Sequence, residues 1–375
     1  MAYFIGVMSG TSMDGVDAIL TDITDTAIAP IAAVSVPYPE ELLDQLHQLC
    51  IISPNEINHL GQADRAVAKV FAQAVNKLIA ERQLSPADIR AVGSHGQTVR
   101  HYPDGPPGTS GENGFTLQIG DPGTIAALTG IDVVADFRRK DIAFGGQGAP
   151  LVPAFHAAKF AKAGHNRVIV NIGGFANLTV LRGLDSSAIK GFDTGPGNVL
   201  MDAWCRKHRN TLYDVDGHWA ASGKVYQPLL NSMLADGYFA QTGPKSTGRE
   251  HFNLTWLQQH LQALDTDLAP QDVQATLLAL TATTIAKAIE QQDRIEQCFV
   301  CGGGAFNKTL IAKLKELLPQ ISVAATDNLD LHPQWVEGVA FAWLAWAYMH
   351  RVPGNVPSVT GASRAVVLGN LTLAD

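Results

Sequence analysis

The sequence has few cysteines, and nothing at its start suggests export. The cysteines of the 375-residue chain are few and irregularly placed, at positions 50, 205, 298 and 301. The chain begins a strand-like run almost at once and lacks the charged and then apolar segments of a secretory signal. Both features fit a cytoplasmic protein, which is what we expect.

Two of the cysteines, Cys298 and Cys301, have the spacing of a redox or zinc pair. A zinc site needs a second pair of ligands, and no matching Cys/His pair is evident. The burial preference of free cysteine favours two buried cysteines in a strand.

The chain also lacks an apolar run long enough to cross a membrane. Its most apolar segment, residues 331–351, contains His332 and Glu337 and falls short of the ~20 uninterrupted apolar residues that a span needs. We predict a buried helix in this segment and no membrane partner.

Positive charge is scarce as well. Lys and Arg number 27 against 35 Asp and Glu, a net charge of -8, which argues against non-specific binding to nucleic acid or to anionic membranes. With 375 residues and 46% hydrophobic side chains, the chain is long and apolar enough for two cores. We therefore predict two domains.

The most informative stretch is residues 4–23. Strand-like runs at 4–7 and 16–23 flank a loop rich in glycine and hydroxyl residues, so a hairpin is predicted. Gly10 and Gly15 permit close approach of the main chain to an anion, and the hydroxyl side chains add donors. The loop lacks the lysine of the strand–loop–helix phosphate motif. Taken alone, it is equally typical of a surface β-turn.

Similar glycine-rich pieces recur later in the chain. Residues 168–181 again have the pattern of strand, Gly turn and strand, and residues 298–307 that of strand, Gly-rich turn and helix start. Three such loops in one chain favour nucleotide binding over surface turns.

The order of these pieces resembles the sugar kinase, Hsp70 and actin superfamily, in which each of two related domains supplies a phosphate hairpin. Within it, Gly-Val-Met-Ser-Gly-Thr-Ser-Met-Asp-Gly-Val-Asp at residues 6–17 is similar to the anhydro-N-acetylmuramic acid kinase family. Further matches to that family are found at residues 94–98, 118–121, 136–138, 145–153, 171–174, 191–198, 245–250 and 302–307.

The resemblance implies an α/β fold of two related domains with a nucleotide cleft between them. The first domain is expected at residues 1–129 plus 346–375, because in the family the terminal helix returns to it. The second is expected at residues 130–345.

The resemblance also implies an ATP-dependent kinase that uses Mg²⁺. In that family, water opens the 1,6-anhydro bridge of anhydro-N-acetylmuramic acid while O6 receives the phosphoryl group. The product is N-acetylmuramic acid 6-phosphate, in the recycling of cell-wall (peptidoglycan) sugars. The expected partner is this small sugar, and the sequence leaves the oligomeric state open, a homodimer included.

One carboxylate is implied as the catalytic base. Asp193 stands at the predicted end of a strand, where glycines begin, and would activate the attacking water. A buried Asp at a Gly-rich turn is also typical of a cap. The family position favours the catalytic role.

The other expected site residues come from the loops and the family motifs. Those implied in nucleotide binding are Gly10, Thr11, Ser12, Met13, Asp14, Gly15, Val16, Asp17, Asn171, Gly173, Gly174, Gly302, Gly303, Gly304 and Asn307. Those implied in sugar binding are Ser94, His95, Gln97, Thr98, Asp136, Arg138 and Glu337. Asp14 is the expected Mg²⁺ ligand, directly or through water, with Asp17 as a second carboxylate.

Two of the sugar-binding residues have competing interpretations. Arg138 can bind a planar carboxylate such as a lactyl group through two parallel hydrogen bonds, or it can form an internal ion pair with a nearby Asp. Glu337 is either a sugar ligand or a surface or helix-capping residue. The polar loop at residues 241–252 matches the family, but its chemistry is unassigned.

Two other functions stay open. An ordinary hexose or acetate-type kinase on the same fold would phosphorylate a free hydroxyl or carboxylate without water entering the sugar. An actin- or Hsp70-like switch would bind ATP and act on protein partners. Strong sugar-dependent ADP release would exclude the switch.

Overall fold

The structure is a computed structural model. It describes residues 2–10, 13, 15–51, 55–106, 113–241, 245, 247–249, 251–264 and 266–375. The chain divides into two compact units, which we call unit 1 (Met1–Lys159 and Trp335–Asp375) and unit 2 (Phe160–Gln334).

Runs of β-branched and apolar residues form the strands, as their intrinsic preference predicts. In chain order the strands of the described residues are β1 (Tyr3–Met8), β2 (Val16–Ile23), β3 (Ile28–Val36), β4 (Ile89–Ser94), β5 (Gln97–Tyr102), β6 (Phe115–Ile119), β7 (Val133–Ala135), β8 (Asn166–Ile172), β9 (Phe175–Arg182), β10 (Asp185–Pro196), β11 (Gln297–Cys301), β12 (Ser322–Ala325) and β13 (Asn370–Thr372).

Helices occupy most of the connections between these strands. The α-helices of the described residues are α1 (Glu40–Leu49), α2 (Glu56–Glu81), α3 (Pro122–Thr129), α4 (Arg139–Ala143), α5 (Val152–Phe160), α6 (Val199–Arg209), α7 (His218–Ser222), α8 (Gln227–Leu234), α9 (Gly237–Ala240), α10 (Leu254–Gln262), α11 (Pro270–Glu290), α12 (Lys308–Leu317), α13 (Val336–Met349) and α14 (Pro357–Thr360).

The two units contain the same sheet topology. In unit 1 the strand order is β13-β7-β4-β1-β2-β3, with β1, β2 and β3 antiparallel and β4 and β7 parallel to β1. In unit 2 the order is β10-β9-β8-β11-β12, with the first three strands antiparallel and the last two parallel. This duplication confirms the predicted α/β fold of two related domains.

Both predicted phosphate hairpins are present. One joins β1 to β2 in unit 1, and the other joins β8 to β9 in unit 2. The third glycine loop follows β11, which lies beside β8.

The predicted buried helix is α13, and glycines allow it to approach the sheet of unit 1 very closely. A Cβ added to Gly6 of β1 would lie 1.8 Å from the carbonyl oxygen of Gly338 in α13. A Cβ added to Gly93 of β4 would lie 2.0 Å from the carbonyl oxygen of Phe341. The main chain of α13 therefore rests directly on β1 and β4.

The predicted domain boundaries, residues 129/130 and 345/346, differ from the division in the structure. Strand β7 pairs with β4, and β13 pairs with β7, so the chain after Gly130 remains in the sheet of unit 1. The whole of α13 also belongs to unit 1. The structure therefore divides the chain after Lys159 and after Gln334. The local sequence indicates strand β7 but does not show the strand with which it pairs.

The cysteine pair lies in a buried strand, as predicted. Cys298 and Cys301 are buried in β11 and form no disulfide bond, and burial raises the pKa of the Cys298 thiol to about 12. Within the described residues there is no cluster of three or more metal-ligating side chains. No helix in the described part of the chain is long and apolar enough to cross a membrane.

Candidate active site

The loop after β1 is held in shape by Gln97. Ser9 Oγ donates a hydrogen bond to Gln97 Oε1 (2.6 Å), and Gln97 Nε2 donates to the carbonyl oxygen of Gly10 (3.3 Å). The Gln97 side chain is fully buried, and Met13 N donates a second hydrogen bond to Gly10 O (3.2 Å). Gln97 was predicted to bind sugar, whereas its contacts support the phosphate loop.

Several predicted loop residues, Thr11, Ser12 and Asp14, lie outside the described residues. Gly15 lies so close to β3 that a Cβ would be 2.7 Å from the carbonyl oxygen of Val36. The lack of a side chain at Gly15 therefore allows its main chain to pack closely against β3 of the same sheet.

The remaining predicted loop residues differ in what they offer a ligand. Met13 and Val16 are buried in the core of unit 1. A nucleotide could therefore contact their main-chain groups but not their side chains. Asp17 is partly exposed, and its Oδ1 accepts a hydrogen bond from Ser35 Oγ. Asp17 thus supplies a carboxylate at the start of β2.

Buried His95, which follows β4, is paired with partly exposed Arg138, which follows β7. Arg138 Nη2 lies 2.8 Å and Nε 3.3 Å from His95 Nε2. Because arginine has donors and no acceptor, Nε2 accepts, and the neutral imidazole carries its proton on Nδ1. Burial and the charge of Arg138 hold the pKa of His95 well below its usual range. The His95 ring also packs 4.6 Å from the Phe341 ring of α13.

Arg138 uses its other donors inside unit 1 as well. Its Nη1 donates to the carbonyl oxygen of Gly148 (2.8 Å). Burial lowers the pKa of Arg138 to about 10, against the opposing charges of Glu337 and Asp141. Three of the five N–H groups of Arg138 are engaged by His95 and Gly148, which favours a positioning role over the predicted bidentate contact with a lactyl carboxylate.

Ser94 and Glu337 complete this cluster in unit 1. Ser94 is buried, and its Oγ has no hydrogen-bond partner in the described part of the chain. An unpaired buried hydroxyl calls for an explanation, and a bound ligand would supply one. Glu337 lies in the first turn of α13 and is partly exposed. The structure therefore groups four of the seven predicted sugar-binding residues: Ser94, His95, Arg138 and Glu337.

Asp136 and Thr98 have other partners. Asp136 Oδ2 accepts from Asn370 Nδ2 (3.0 Å), and its Oδ1 lies 3.5 Å from Arg139 Nε. Burial raises the pKa of Asp136. Thr98 Oγ1 accepts from Gln118 Nε2 (3.1 Å) on β6. These contacts do not join either residue to the His95–Arg138 pair.

In unit 2 two predicted glycine loops lie against each other. A Cβ on Gly302 would be 2.3 Å from Asn171 Oδ1, and a Cβ on Gly304 would be 2.4 Å from Ile172 Cγ2. Gly302 has φ 77°, a conformation that favours glycine. The end of β8 and the loop after β11 are therefore in direct contact.

Gly173 and Gly174 are fixed by the chain that follows β10. The carbonyl oxygen of Gly173 accepts from Asn198 N (2.8 Å), and that of Gly174 accepts from Gly197 N (2.9 Å). A Cβ on Gly303 would lie 3.8 Å from Asn198 Nδ2. Three segments of unit 2, the turn after β8, the chain after β10 and the loop after β11, thus form one glycine-lined surface.

Asn307 lies at the end of the third loop and has a structural contact. Its Oδ1 accepts from Leu310 N (3.0 Å) and caps helix α12. The predicted nucleotide contact of Asn307 would therefore fall to its other polar atoms.

Asp193 lies in β10, at the edge of the sheet of unit 2. The sequence placed it where a strand ends, but β10 continues to Pro196, with a bulge between Asp193 and Gly195. Both main-chain groups of Asp193 have partners outside the sheet. Its N–H donates to the carbonyl oxygen of Lys245 (3.0 Å), and its carbonyl oxygen accepts from Tyr238 Oη (2.8 Å).

The Asp193 carboxyl group is partly exposed and accepts one hydrogen bond from the described residues. Thr247 N donates to Oδ2 (3.1 Å), and no hydrogen bond from the described residues reaches Oδ1. Burial raises the pKa of Asp193 to about 7, against the opposing effects of the Thr247 N–H and the Lys245 charge. A carboxylate with one free oxygen and a pKa near neutrality is suited to accept a proton.

The sequence analysis did not predict the residues that hold Asp193. Tyr238 lies in α9, and Lys245 and Thr247 lie in the polar loop whose chemistry was unassigned. The only signal was the similarity of residues 245–250 to the family motif. Ser246 and Glu250 of that loop lie outside the described residues.

Comparisons with known proteins agree over nearly the whole chain. The family model for anhydro-N-acetylmuramic acid kinase matches residues 2–374. Curated relatives of that name include one from Shewanella loihica, 54% identical over 369 residues, and one from Shewanella oneidensis, 54% identical over 368 residues. Each alignment covers 98% of this chain and 98% of the relative.

Solved structures show weaker similarity. A ROK family glucokinase from Streptomyces griseus in complex with glucose and AMPPNP is 13% identical, with a TM-score of 0.40, and the match covers 92% of this chain and 99% of the glucokinase. Component A of the Acidaminococcus fermentans (R)-2-hydroxyglutaryl-CoA dehydratase is 10% identical, with a TM-score of 0.45 and coverages of 91% and 96%.

Proposed function

The chain belongs to the anhydro-N-acetylmuramic acid kinase family, and from this premise we propose a reaction and an assignment of roles. The enzyme is a sugar kinase that uses ATP to phosphorylate 1,6-anhydro-N-acetylmuramic acid on O6. Water adds to C1, the C1–O6 bond breaks, and O6 takes the γ-phosphoryl group as ADP leaves. The product, N-acetylmuramic acid 6-phosphate, belongs to peptidoglycan sugar recycling, and we place the reaction in the cytoplasm, where ATP is available.

The observation that carries this proposal is the state of the Asp193 carboxyl group. Its pKa of about 7, and an Oδ1 that receives no hydrogen bond from the described residues, equip it to take a proton from the attacking water. The proton lost by that water goes to Asp193 as the new C1–O bond forms. A base in this position typically contributes about 10²–10⁴ in rate.

We assign nucleotide binding to the glycine-lined surface of unit 2. For unit 1, we assign phosphate binding to the loop after β1. Main-chain N–H groups at glycines can approach phosphate oxygens closely, which agrees with Gly302 and its neighbours. Asp17 supplies a partly exposed hard oxygen ligand of the kind Mg²⁺ prefers, and Asp14 would join it directly or through water. When bound, Mg²⁺ would neutralise charge on the β- and γ-phosphates.

We assign sugar binding to the cluster of Ser94, His95, Arg138 and Glu337. Neutral His95 would offer its Nδ1 proton, and Ser94 its unpaired hydroxyl, to sugar oxygens. Arg138 would keep His95 in the correct tautomer.

Sugar-dependent release of ADP tests the proposal. We expect rapid ADP formation from MgATP with 1,6-anhydro-N-acetylmuramic acid and little with glucose, acetate or no acceptor. Equal turnover with glucose or acetate would favour an ordinary hexose or acetate-type kinase. Slow ATP turnover that no small acceptor raises, but that a protein client does, would favour the nucleotide switch.

A further inference from the structure

The polar loop that follows α9 contacts Asp193 at two points. The carbonyl oxygen of Lys245 accepts from Asp193 N (3.0 Å), and Thr247 N donates to Asp193 Oδ2 (3.1 Å). Because β10 is an edge strand, these bonds replace the partner strand that Asp193 lacks on that side. The main chain of the loop therefore sets the position of the carboxyl group.

The Lys245 side chain adds a second connection through Tyr238. Lys245 Nζ donates to the carbonyl oxygen of Tyr238 (3.1 Å) and lies 4.4 Å from the centre of the Tyr238 ring. The hydroxyl of the same ring donates to the carbonyl oxygen of Asp193 (2.8 Å). An ammonium group over an aromatic face is an attractive contact that fixes the ring, so Lys245 helps to orient the group that holds Asp193.

Lys245 is also the positive charge that acts on the Asp193 carboxylate. Among the described residues, Lys245 and Tyr238 are the titratable side chains that interact with this carboxyl group. Burial lowers the pKa of Lys245, and the nearby Asp193 raises it. The two groups therefore favour each other's charged form.

The other charged groups of the surrounding elements have different partners. Arg249 of the same loop acts on Asp202 of α6. Asp236, before α9, pairs with His251 (3.0 Å). Helix α11 faces the end of β10 with the hydroxyl of Thr281, which donates to carbonyl oxygens of that chain.

We propose that Lys245 is a positioning residue for Asp193, which holds the residue in place through Tyr238 and favours the ionised form of its carboxyl group. This inference rests on the proposed role of Asp193 as the base. It gives a function to the polar loop, which the reaction itself left unassigned.

The test is the pH dependence of kcat/KM with MgATP and 1,6-anhydro-N-acetylmuramic acid, compared among four proteins. They are the wild type, Lys245→Met, Lys245→Arg and a matched control, Lys313→Met. Lys313 pairs with Glu316 on the exposed surface of α12. We expect the acidic limb of the profile to move up by about one pH unit in Lys245→Met, because a carboxylate that loses a nearby cation is harder to ionise. The limb should stay in place in Lys245→Arg and Lys313→Met.

The outcomes separate this inference from the function on which it rests. A limb that persists in Asp193→Asn would show that Asp193 is not the base, and the proposed function would be revised. A limb that disappears in Asp193→Asn but does not move in Lys245→Met would overturn the inference about Lys245 alone. If the Tm of Lys245→Met falls, Lys245→Gln takes its place, and an unmoved limb in that variant has the same meaning.

Discussion

The surroundings of Asp193 raise the pKa of its carboxyl group. Its carboxyl group accepts one hydrogen bond, from Thr247 N, and lies in an environment that disfavours charge. Burial of this kind favours the protonated carboxylic acid. The pKa of this carboxyl group is therefore about 7 rather than 3.8.

The first prediction concerns the pH profile of the wild-type enzyme. A general base must be ionised to act, so kcat/KM should rise with pH and level off above a limb near pH 7. Steady-state rates at saturating MgATP and low sugar concentration will measure this limb. A profile that stays flat from about pH 5 to about pH 8 would mean that the base has an ordinary carboxyl pKa.

The second prediction separates catalysis from stability at the same residue. Asp193→Asn should lower turnover by about 10²–10⁴ while nucleotide affinity changes little. Because the pKa of Asp193 is raised in the folded state, its contribution to stability is present below pH 3.8 and is lost as the pH rises towards 7. The Tm of Asp193→Asn should therefore exceed that of the wild type, and by more at pH 8 than at pH 5. A variant that loses activity together with its Tm would instead identify Asp193 as a structural cap.

The identity of Asp193 could be predicted from the sequence, but its environment could not. Tyr238 and Thr247 are 45 and 54 residues away along the chain. No local pattern predicts that two such residues meet an edge strand. The role of Arg138 was open for the same reason, because its partners His95 and Gly148 become visible only when the chain is folded.

At the scale of elements, the loop after β1 depends on a side chain from β5. Gln97 bonds to Ser9 and to Gly10 from a fully buried position. From this contact we propose that Gln97 acts in nucleotide binding, in place of the sugar contact expected from the sequence.

The third prediction follows from that contact. Gln97→Ala should remove two hydrogen bonds that hold the loop, a loss of about 1–3 kcal/mol. We expect the Kd for an ATP analogue to rise about tenfold or more, which 1.4 kcal/mol produces, while the KM for the sugar changes little. Gln118→Ala is the matched control, because Gln118 bonds to Thr98 and Thr116 within the same small sheet. A raised sugar KM with unchanged nucleotide affinity would restore the original assignment.

The fourth prediction concerns the contact between α13 and the sheet of unit 1. A methyl group at Gly6 would meet the Gly338 carbonyl oxygen at 1.8 Å, so Gly6→Ala should lower the free energy of unfolding by about 1–3 kcal/mol or more. Gly61→Ala is the control, since a Cβ on Gly61 of α2 meets nothing within 4 Å. That change should stabilise the helix by about 0.5–1 kcal/mol.

Chemical denaturation of both variants will measure these changes in the free energy of unfolding. Equal stabilities for Gly6→Ala and the wild type would show that α13 can move away from β1 without cost.

The apolar run of residues 331–351 was sufficient to predict a buried helix rather than a membrane span, because Glu337 and His332 interrupt it. The sheet against which it packs was not predictable, although glycine within a strand is a sign of close approach.

At the scale of the whole molecule, the duplication of the sheet was predictable and the boundaries were not. Two strand–loop–strand patterns, each followed by strands and helices, indicate two related α/β units. Five strands of each sheet follow the same order, and unit 1 adds β13. The boundary near Gly130 failed because β7 returns to β4 through a parallel pairing that local sequence does not encode. The division after Lys159 is thus a property of pairing between distant segments.

The most direct test of the proposed reaction is to run it in ¹⁸O-labelled water. If Asp193 activates water to open the anhydro bridge, the label should appear at C1 of the phosphorylated sugar, and the phosphate should remain unlabelled. Unlabelled product kept in labelled water will measure the exchange of the C1 oxygen without enzyme. Label in the phosphate, or label at C1 that does not exceed this exchange, would contradict the account.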